Sequence, residues 1–147
     1  MYNAGRPEKR TPPQYSVLRI THLVIGILVL TAFSISGLYL RYTAPSIYLG
    51  DEVSHMMFRA NHIYILMAGM VSIVLGRYAT QAENKYARMM QSLGLGLIMA
   101  ASGVLIYAFT LEPALGSMER PRTAMGIQLL ALGTLLHVLS GLLEKRA

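Results

Sequence analysis

The stretch that decides the fold is SHMMFRANHIYILMAGMVSIVLG, residues 54–76. It is long enough to cross a lipid bilayer, which takes about 20 apolar residues, yet it carries four strongly polar side chains. At helical spacing His55, Arg59 and His62 share one face, whereas Asn61 lies about 100° away from His62. Because a charged or strongly polar side chain is costly in hydrocarbon, we predict that this polar stripe (His55, Arg59 and His62) faces protein or a water-filled cavity.

Composition places the chain among membrane proteins. Its 147 residues are 54% hydrophobic and only 14% charged, which is too apolar for an ordinary soluble domain. The net charge of +6 is spread between apolar blocks and matches no nucleic-acid-binding motif, so we expect no nucleic-acid partner. The absence of cysteine excludes disulfides, cysteine metal sites and thiol catalysis.

The apolar runs and the breaks between them predict an all-α, integral membrane, four-helix antiparallel bundle. Residues 1–14 form a flexible cytoplasmic tail, and residues 15–143 form a single transmembrane domain. Its four spans cover about 15–40, 54–76, 89–109 and 123–143, followed by a short cytoplasmic end at 144–147. Each run is about 20 residues, which at 1.5 Å per residue matches a hydrocarbon core of about 30 Å.

The distribution of basic residues predicts the orientation. Of the thirteen Lys and Arg residues, nine belong to one side of the four-span arrangement: Arg6, Lys9, Arg10, Arg19, Arg77, Lys85, Arg88, Lys145 and Arg146. The positive-inside rule therefore predicts that both termini are cytoplasmic, in a multi-pass protein of a bacterial inner membrane.

Small residues recur on the predicted helices and favour close helix contact. The third span has Ser92, Gly96, Ala100 and Gly103 near one face, and the fourth repeats Gly126, Gly133 and Ser140 every seven residues. Such residues let helix backbones approach. They predict packing within the bundle, and the alternative is contact with another copy of the chain or a membrane protein partner.

Two histidines are predicted to lie at the same depth. His22 is about six residues inside the first span and His137 about six residues before the end of the last, so they are candidate partners. A low-spin haem takes two axial imidazoles from facing helices. Gly26, Gly133 and Gly141 lie one turn from these histidines and would leave room for a porphyrin.

With four spans and this placement of His22 and His137, the chain resembles the four-helix di-haem cytochrome b proteins of bacterial inner membranes. The resemblance implies a quinol-linked electron carrier with haem b, in which Arg19 contacts a haem propionate. The chain departs from that family because His55 and His62 both lie in the second span and cannot clamp a second haem. The stretch FRANHIYILMAG is also similar to small uncharacterised bacterial membrane proteins, which implies no activity.

Three functions are open at this point. The first is a non-enzymatic accessory or structural subunit, in which the histidines make hydrogen bonds between helices. The second is the haem carrier, and the third is an anion or quinone headgroup site at His55, Arg59 and His62. The sequence predicts no catalytic residues and no metal site, because His55 and His62 lie about 10 Å apart along their helix. We expect Arg59 to reach a carboxylate or carbonyl of an outer loop, such as Asp51 or Glu112.

Overall fold

The computed structural model describes residues 17–43, 52–115 and 119–144. They form four α-helices, α1 (Val17–Tyr42), α2 (Glu52–Tyr78), α3 (Lys85–Leu111) and α4 (Pro121–Glu144), with a short 3-10 helix at Glu112–Leu115. The described residues contain no strand. The predicted all-helical class with four helices is therefore confirmed, whereas the predicted tail at 1–14, Asp51 and residues 145–147 lie outside the described residues.

All four helices are long and apolar enough to cross a membrane. Each extends past its predicted span where the two can be compared. For example, α3 begins at Lys85 instead of Met89, and α2 runs two residues beyond Gly76. The difference arises because an apolar run marks only the length that a membrane span requires, whereas the polar residues at its ends continue to make helical hydrogen bonds. We call the end of the bundle that carries Val17 and Glu144 the terminus end, and the opposite end the far end.

The bundle is built from two helical hairpins, with α1 packed mainly on α2 and α3 mainly on α4. Glycines make both contacts close. A Cβ atom at Gly76 would lie 2.8 Å from the backbone nitrogen of Leu23, and one at Gly133 would lie 2.8 Å from the carbonyl oxygen of Gly94. These distances are too short for any side chain, so the two hairpins depend on glycine at these positions.

The small residues of α3 behave differently from the prediction. Gly94 is buried against α4, whereas Ser92, Gly96, Ala100 and Gly103 are all exposed on the outside of the bundle. A Cβ added at Gly96 or Gly103 would meet nothing within 4 Å. Small size alone could not reveal which face is buried, because either face of α3 can be approached closely by another helix.

An apolar core joins the two hairpins. Ile65, Ile98 and Leu105 are fully buried at its centre. Nearer the far end, Phe58 and Phe109 pack edge to face with ring centroids 5.2 Å apart. Aromatic pairs in this geometry add to the stability gained from burial alone, so the hairpins are firmly joined toward the far end.

Polar side chains complete the helix ends at the terminus end. The Arg19 guanidinium donates to the carbonyl oxygens of Gly76 and Arg77 at 3.2 and 3.0 Å, where α2 ends. The Glu144 carboxylate accepts hydrogen bonds from the backbone amides of Glu83 and Asn84 at 2.9 and 3.3 Å, just before α3. Each contact satisfies backbone groups that a helix leaves unpaired and ties together the two helices of one hairpin.

Candidate functional site

The most heavily bonded polar cluster lies at the far end and centres on Glu112. This residue is fully buried directly after α3. Its carboxylate accepts hydrogen bonds from the backbone amides of Arg122 and Thr123 at 2.7 and 3.0 Å, and also from the Thr123 hydroxyl. Glu112 therefore caps the N-terminus of α4, where a negative charge is favourable.

Asn61 connects this cluster to α2. Its amide nitrogen donates to the carbonyl oxygen of Ala108 at 3.1 Å, and its amide oxygen accepts from the Arg120 guanidinium and lies 2.9 Å from the Thr123 hydroxyl. Burial alone would raise the pKa of Glu112, but the hydrogen bonds from Thr123 and Arg122 and the charge of Arg120 outweigh it. The pKa of Glu112 is therefore lowered from its ordinary value of 4.5. We call Asn61, Glu112, Arg120 and Thr123 the far-end lock, since they fasten α2, α3 and α4 together.

The structure brings His22 and His137 into direct contact, although they are 115 residues apart. Their Nε2 atoms lie 3.1 Å apart, with ring centroids at 4.8 Å and an angle of 68° between the rings. His22 is fully buried and His137 is 6% exposed. One imidazole must donate its Nε2 proton to the other, so the two rings are opposite tautomers and their Nδ1 atoms differ, one carrying a proton and one a lone pair. Neither Nδ1 atom has a hydrogen-bond partner among the described residues.

This pair supplies the donor set that a bis-imidazole haem requires, with Nε2 facing Nε2 from α1 and α4. Metal–imidazole bonds are about 2.0 Å long, so two axial nitrogens on opposite sides of an iron are about 4 Å apart. The observed separation of 3.1 Å is that of a hydrogen bond. Haem binding would therefore require the two Nε2 atoms to move apart by about 1 Å and the side chains around them to make room for the porphyrin.

The glycines predicted to make room for a porphyrin have other neighbours. A Cβ at Gly26 would lie 2.7 Å from the Ile73 side chain, and one at Gly133 would meet Gly94 and Ile98 at 2.8 Å. Only Gly141 of the three is open, with nothing within 4 Å among the described residues. Arg19, expected to contact a propionate, instead donates to the end of α2.

A cleft of about 400 Å³ adjoins His137 at the terminus end, between α2, α3 and α4. Its polar walls are already engaged, because Gln91 accepts from the Ala82 amide at 3.1 Å and donates to the Thr80 carbonyl at 2.8 Å. The cleft therefore provides open volume beside the histidine pair. The polar side chain of Gln91, however, stabilises the connection between α2 and α3.

The polar stripe of α2 lines a second opening, at the far end between α1 and α2. This groove, which we call the basic groove, has a volume of about 360 Å³ and is lined by Gly37, Leu40, Arg41, His55, Arg59 and His62. The structure thus brings together all three stripe residues and adds Arg41 from α1. None of the described residues that line it is acidic.

Contacts from α1 fix the orientation of His62. Its Nδ1 atom lies 2.8 Å from the Ser36 hydroxyl, which also lies 2.8 Å from the carbonyl oxygen of Phe33, and its ring stacks on Phe33 with centroids 4.0 Å apart. A serine hydroxyl has one proton and a carbonyl oxygen can only accept, so Ser36 donates to Phe33 and His62 Nδ1–H donates to Ser36. In neutral His62 this leaves Nε2 as a hydrogen-bond acceptor.

Arg59 does not make the contact expected from sequence with the described residues. Its side chain is exposed and makes no hydrogen bond or ion pair among them. Glu112 is engaged by α4, and the arginine that reaches into the bundle from the α3–α4 connection is Arg120, whereas Asp51 lies outside the described residues. The α3–α4 connection is held against the bundle, as expected for an outer loop, but the contact that holds it is between Arg120 and Asn61 and does not involve Arg59.

The described residues contain no group of three or more His, Cys, Asp or Glu side chains that could hold a metal ion. Comparison of the chain with protein-family models, with characterised proteins and with solved structures gave no match. The geometry that bears on function is therefore that of the histidine pair, the far-end lock and the basic groove.

The sequence did not reveal the far-end lock. Glu112 lies between apolar residues and Pro113, in a stretch that resembles an ordinary exposed loop. The available signal was Thr123 just after Pro121, since threonine and proline are frequent at helix N-termini and predict a capped start for α4. That signal locates the helix end but does not identify the acid that caps it.

Proposed function

We propose that the chain is a small integral inner-membrane protein that acts as a non-enzymatic accessory or structural subunit. The observation that carries this proposal is that the buried polar side chains bond mainly across helices. The far-end lock joins α2, α3 and α4, and the histidine pair joins α1 and α4. Such contacts make a rigid bundle whose outer faces are available to partners.

Single cysteines test the accessory role, because the native chain has none. One exposed apolar residue per helix is replaced in turn by cysteine: Leu28, Met70, Met99 and Leu132. After cross-linking in native membranes, a subunit gives one discrete product of higher mass from one or two faces. A chain that functions alone gives no discrete product from any face, and that result would contradict the proposal.

We further propose that both termini are cytoplasmic, on the basis of the nine basic residues assigned to that side. A reporter that is active only in the cytoplasm should be active when fused after Ala147. Activity of a periplasm-specific reporter at the same position would reverse the orientation and place the basic groove at the cytoplasmic surface.

A b-type haem electron carrier is the second candidate, and the facing Nε2 atoms of His22 and His137 favour it. When bound, haem would supply one-electron transfer, and these two residues would hold it. The absorption spectrum of the purified protein distinguishes the two candidates, since a reducible Soret band that depends on both histidines belongs only to the second.

A further inference from the structure

We propose that the basic groove binds a phosphate monoester, carried by a membrane lipid. The inference goes beyond the accessory role and rests on the proposed membrane placement only for the lipid source of the phosphate. Arg41 and Arg59 bring two guanidinium groups to one opening, and the described lining residues include no carboxylate to balance them.

Both arginines have guanidinium N–H groups that make no hydrogen bond with a described residue. Arg59 makes no hydrogen bond or ion pair with a described residue, and Arg41 lies over the Tyr42 ring at 5.7 Å. A guanidinium presents several N–H donors in a planar fork that matches the oxygens of a phosphate, and such charge-assisted bonds are stronger than neutral ones. An anion between the two arginines would also remove the repulsion between their charges.

The position of the groove along the helices favours a lipid headgroup. Arg41 lies one residue before the end of α1, and Arg59 lies seven residues, or about 10 Å, after the start of α2. A 27-residue helix is about 40 Å long and exceeds a hydrocarbon core of about 30 Å, so both guanidinium groups can reach the headgroup layer. Leu38 and Ile63 are exposed at the same level of α1 and α2 as the groove residues Gly37 and His62, on faces about 100° away, and provide apolar surface for acyl chains.

The hydrogen-bond acceptor that His62 offers favours one class of phosphate ligand, the monoester. Because its Nδ1–H is held by Ser36, neutral His62 offers a lone pair at Nε2 and therefore accepts a hydrogen bond from its ligand. A phosphate diester whose headgroup carries no hydroxyl has no O–H donor beside its anionic oxygens, whereas a phosphate monoester, with a second pKa near 6, keeps a P–OH proton in part of its population at neutral pH. The monoester can thus bind the arginines through its anionic oxygens and His62 through its hydroxyl.

The test uses the full chain in nanodiscs and counts retained lipids by native mass spectrometry. The lipids are dioleoyl phosphatidate, a monoester; dioleoyl phosphatidylmethanol, an anionic diester whose headgroup has no hydroxyl donor; and dioleoyl phosphatidylcholine, which has no net charge. We expect phosphatidate to be retained about tenfold more strongly than phosphatidylcholine and severalfold more strongly than phosphatidylmethanol. Equal retention of phosphatidate and phosphatidylcholine would overturn the proposal, and equal retention of the two anionic lipids would overturn the monoester assignment.

Single substitutions test whether the lipid binds in the basic groove. Arg41→Gln and Arg59→Gln should each weaken phosphatidate retention about tenfold, whereas Arg77→Gln, an exposed arginine at the terminus end, should leave it unchanged. His62→Leu should reduce the preference for the monoester over the diester while anionic lipids still bind. An equal loss from Arg77→Gln would show that net charge, not the groove, attracts the lipid.

Inorganic phosphate distinguishes the source of the phosphate group. If the ligand is a lipid, inorganic phosphate should neither displace phosphatidate nor raise the melting temperature of the detergent-purified protein. Displacement that is lost in Arg59→Gln would keep the phosphate chemistry but overturn the lipid source. None of these outcomes alters the cysteine cross-linking result, so the accessory role and the lipid site can fail separately.

Discussion

Replacing Glu112 with alanine is expected to lower the free energy of unfolding by about 3 kcal/mol or more. The substitution removes the acceptor for the amides of Arg122 and Thr123 and leaves the Arg120 charge partly buried without its neighbouring carboxylate. A hydrogen bond to a charged group contributes about 1.5–3 kcal/mol, the Glu112 carboxylate accepts three of them, and loss of a helix N-cap costs about 1 kcal/mol. Equilibrium unfolding in mixed detergent micelles measures the change.

Glu119→Ala provides the matched control, because Glu119 is exposed in the same connection between α3 and α4. It should change the unfolding free energy by less than about 0.5 kcal/mol. Asn61→Leu should be destabilising as well, since it leaves the Ala108 carbonyl and the Arg120 guanidinium without the Asn61 amide. Equal effects of Glu112→Ala and Glu119→Ala would show that the lock contributes nothing specific.

The same carboxylate predicts how stability depends on pH. Because the pKa of Glu112 is lower in the folded chain than its ordinary value of 4.5, ionised Glu112 stabilises the fold at every pH above 4.5. This contribution is lost as the pH falls below 4.5 through the folded-state pKa. Glu112→Gln should therefore be less stable than the native chain at pH 7, and the difference between the two should shrink below pH 4.5.

The sequence was sufficient for the number and type of helices, because apolar runs of about 20 residues have few alternatives. It also pointed to His22 and His137 as neighbours, since depth follows from counting residues inward from one side of a membrane. The sequence does not show that the small residues on one face of α3, from Ser92 to Gly103, point outward. Small residues permit contact on any side of a helix, and only the three-dimensional packing of Gly94 on Gly133 shows which face is covered.

Arg59 and Arg120 show a second limit of the sequence. Arg59 lies in an apolar run, where a charge is costly, whereas Arg120 lies in a short connection between two apolar runs. In the folded chain Arg59 is exposed in the groove, and Arg120 reaches Asn61. Residue counting fixes depth along one helix but cannot tell which side chain of a loop folds back over the bundle.

The second large effect is expected at the histidine pair. His22→Leu and His137→Leu should each lower the unfolding free energy by about 1–3 kcal/mol, because each leaves one Nε2 atom buried without its partner. The double variant removes both polar groups and should cost less than the sum of the two single changes. We expect a coupling energy of about 1–2 kcal/mol from this double-mutant cycle, measured by unfolding in mixed micelles.

His55→Leu serves as the control for both stability and spectrum, because His55 lies in the basic groove at the far end. It should show no coupling to His22→Leu, since residues without shared partners add independently. If the double variant lowers the unfolding free energy by the full sum of the two single changes, the 3.1 Å contact between His22 and His137 does not stabilise the bundle. The proposal that buried polar contacts join the helices would then fail for α1 and α4.

The absorption spectrum then distinguishes a hydrogen-bonded histidine pair from a pair that holds a haem. A hydrogen-bonded pair predicts no Soret band in the native chain, even when it is purified after growth with added haem, together with the positive coupling described above. A reducible Soret band that disappears in both His22→Leu and His137→Leu but persists in His55→Leu would show that these two residues hold a haem. That result would favour the electron carrier over the accessory role, and the 3.1 Å contact would then describe the haem-free form.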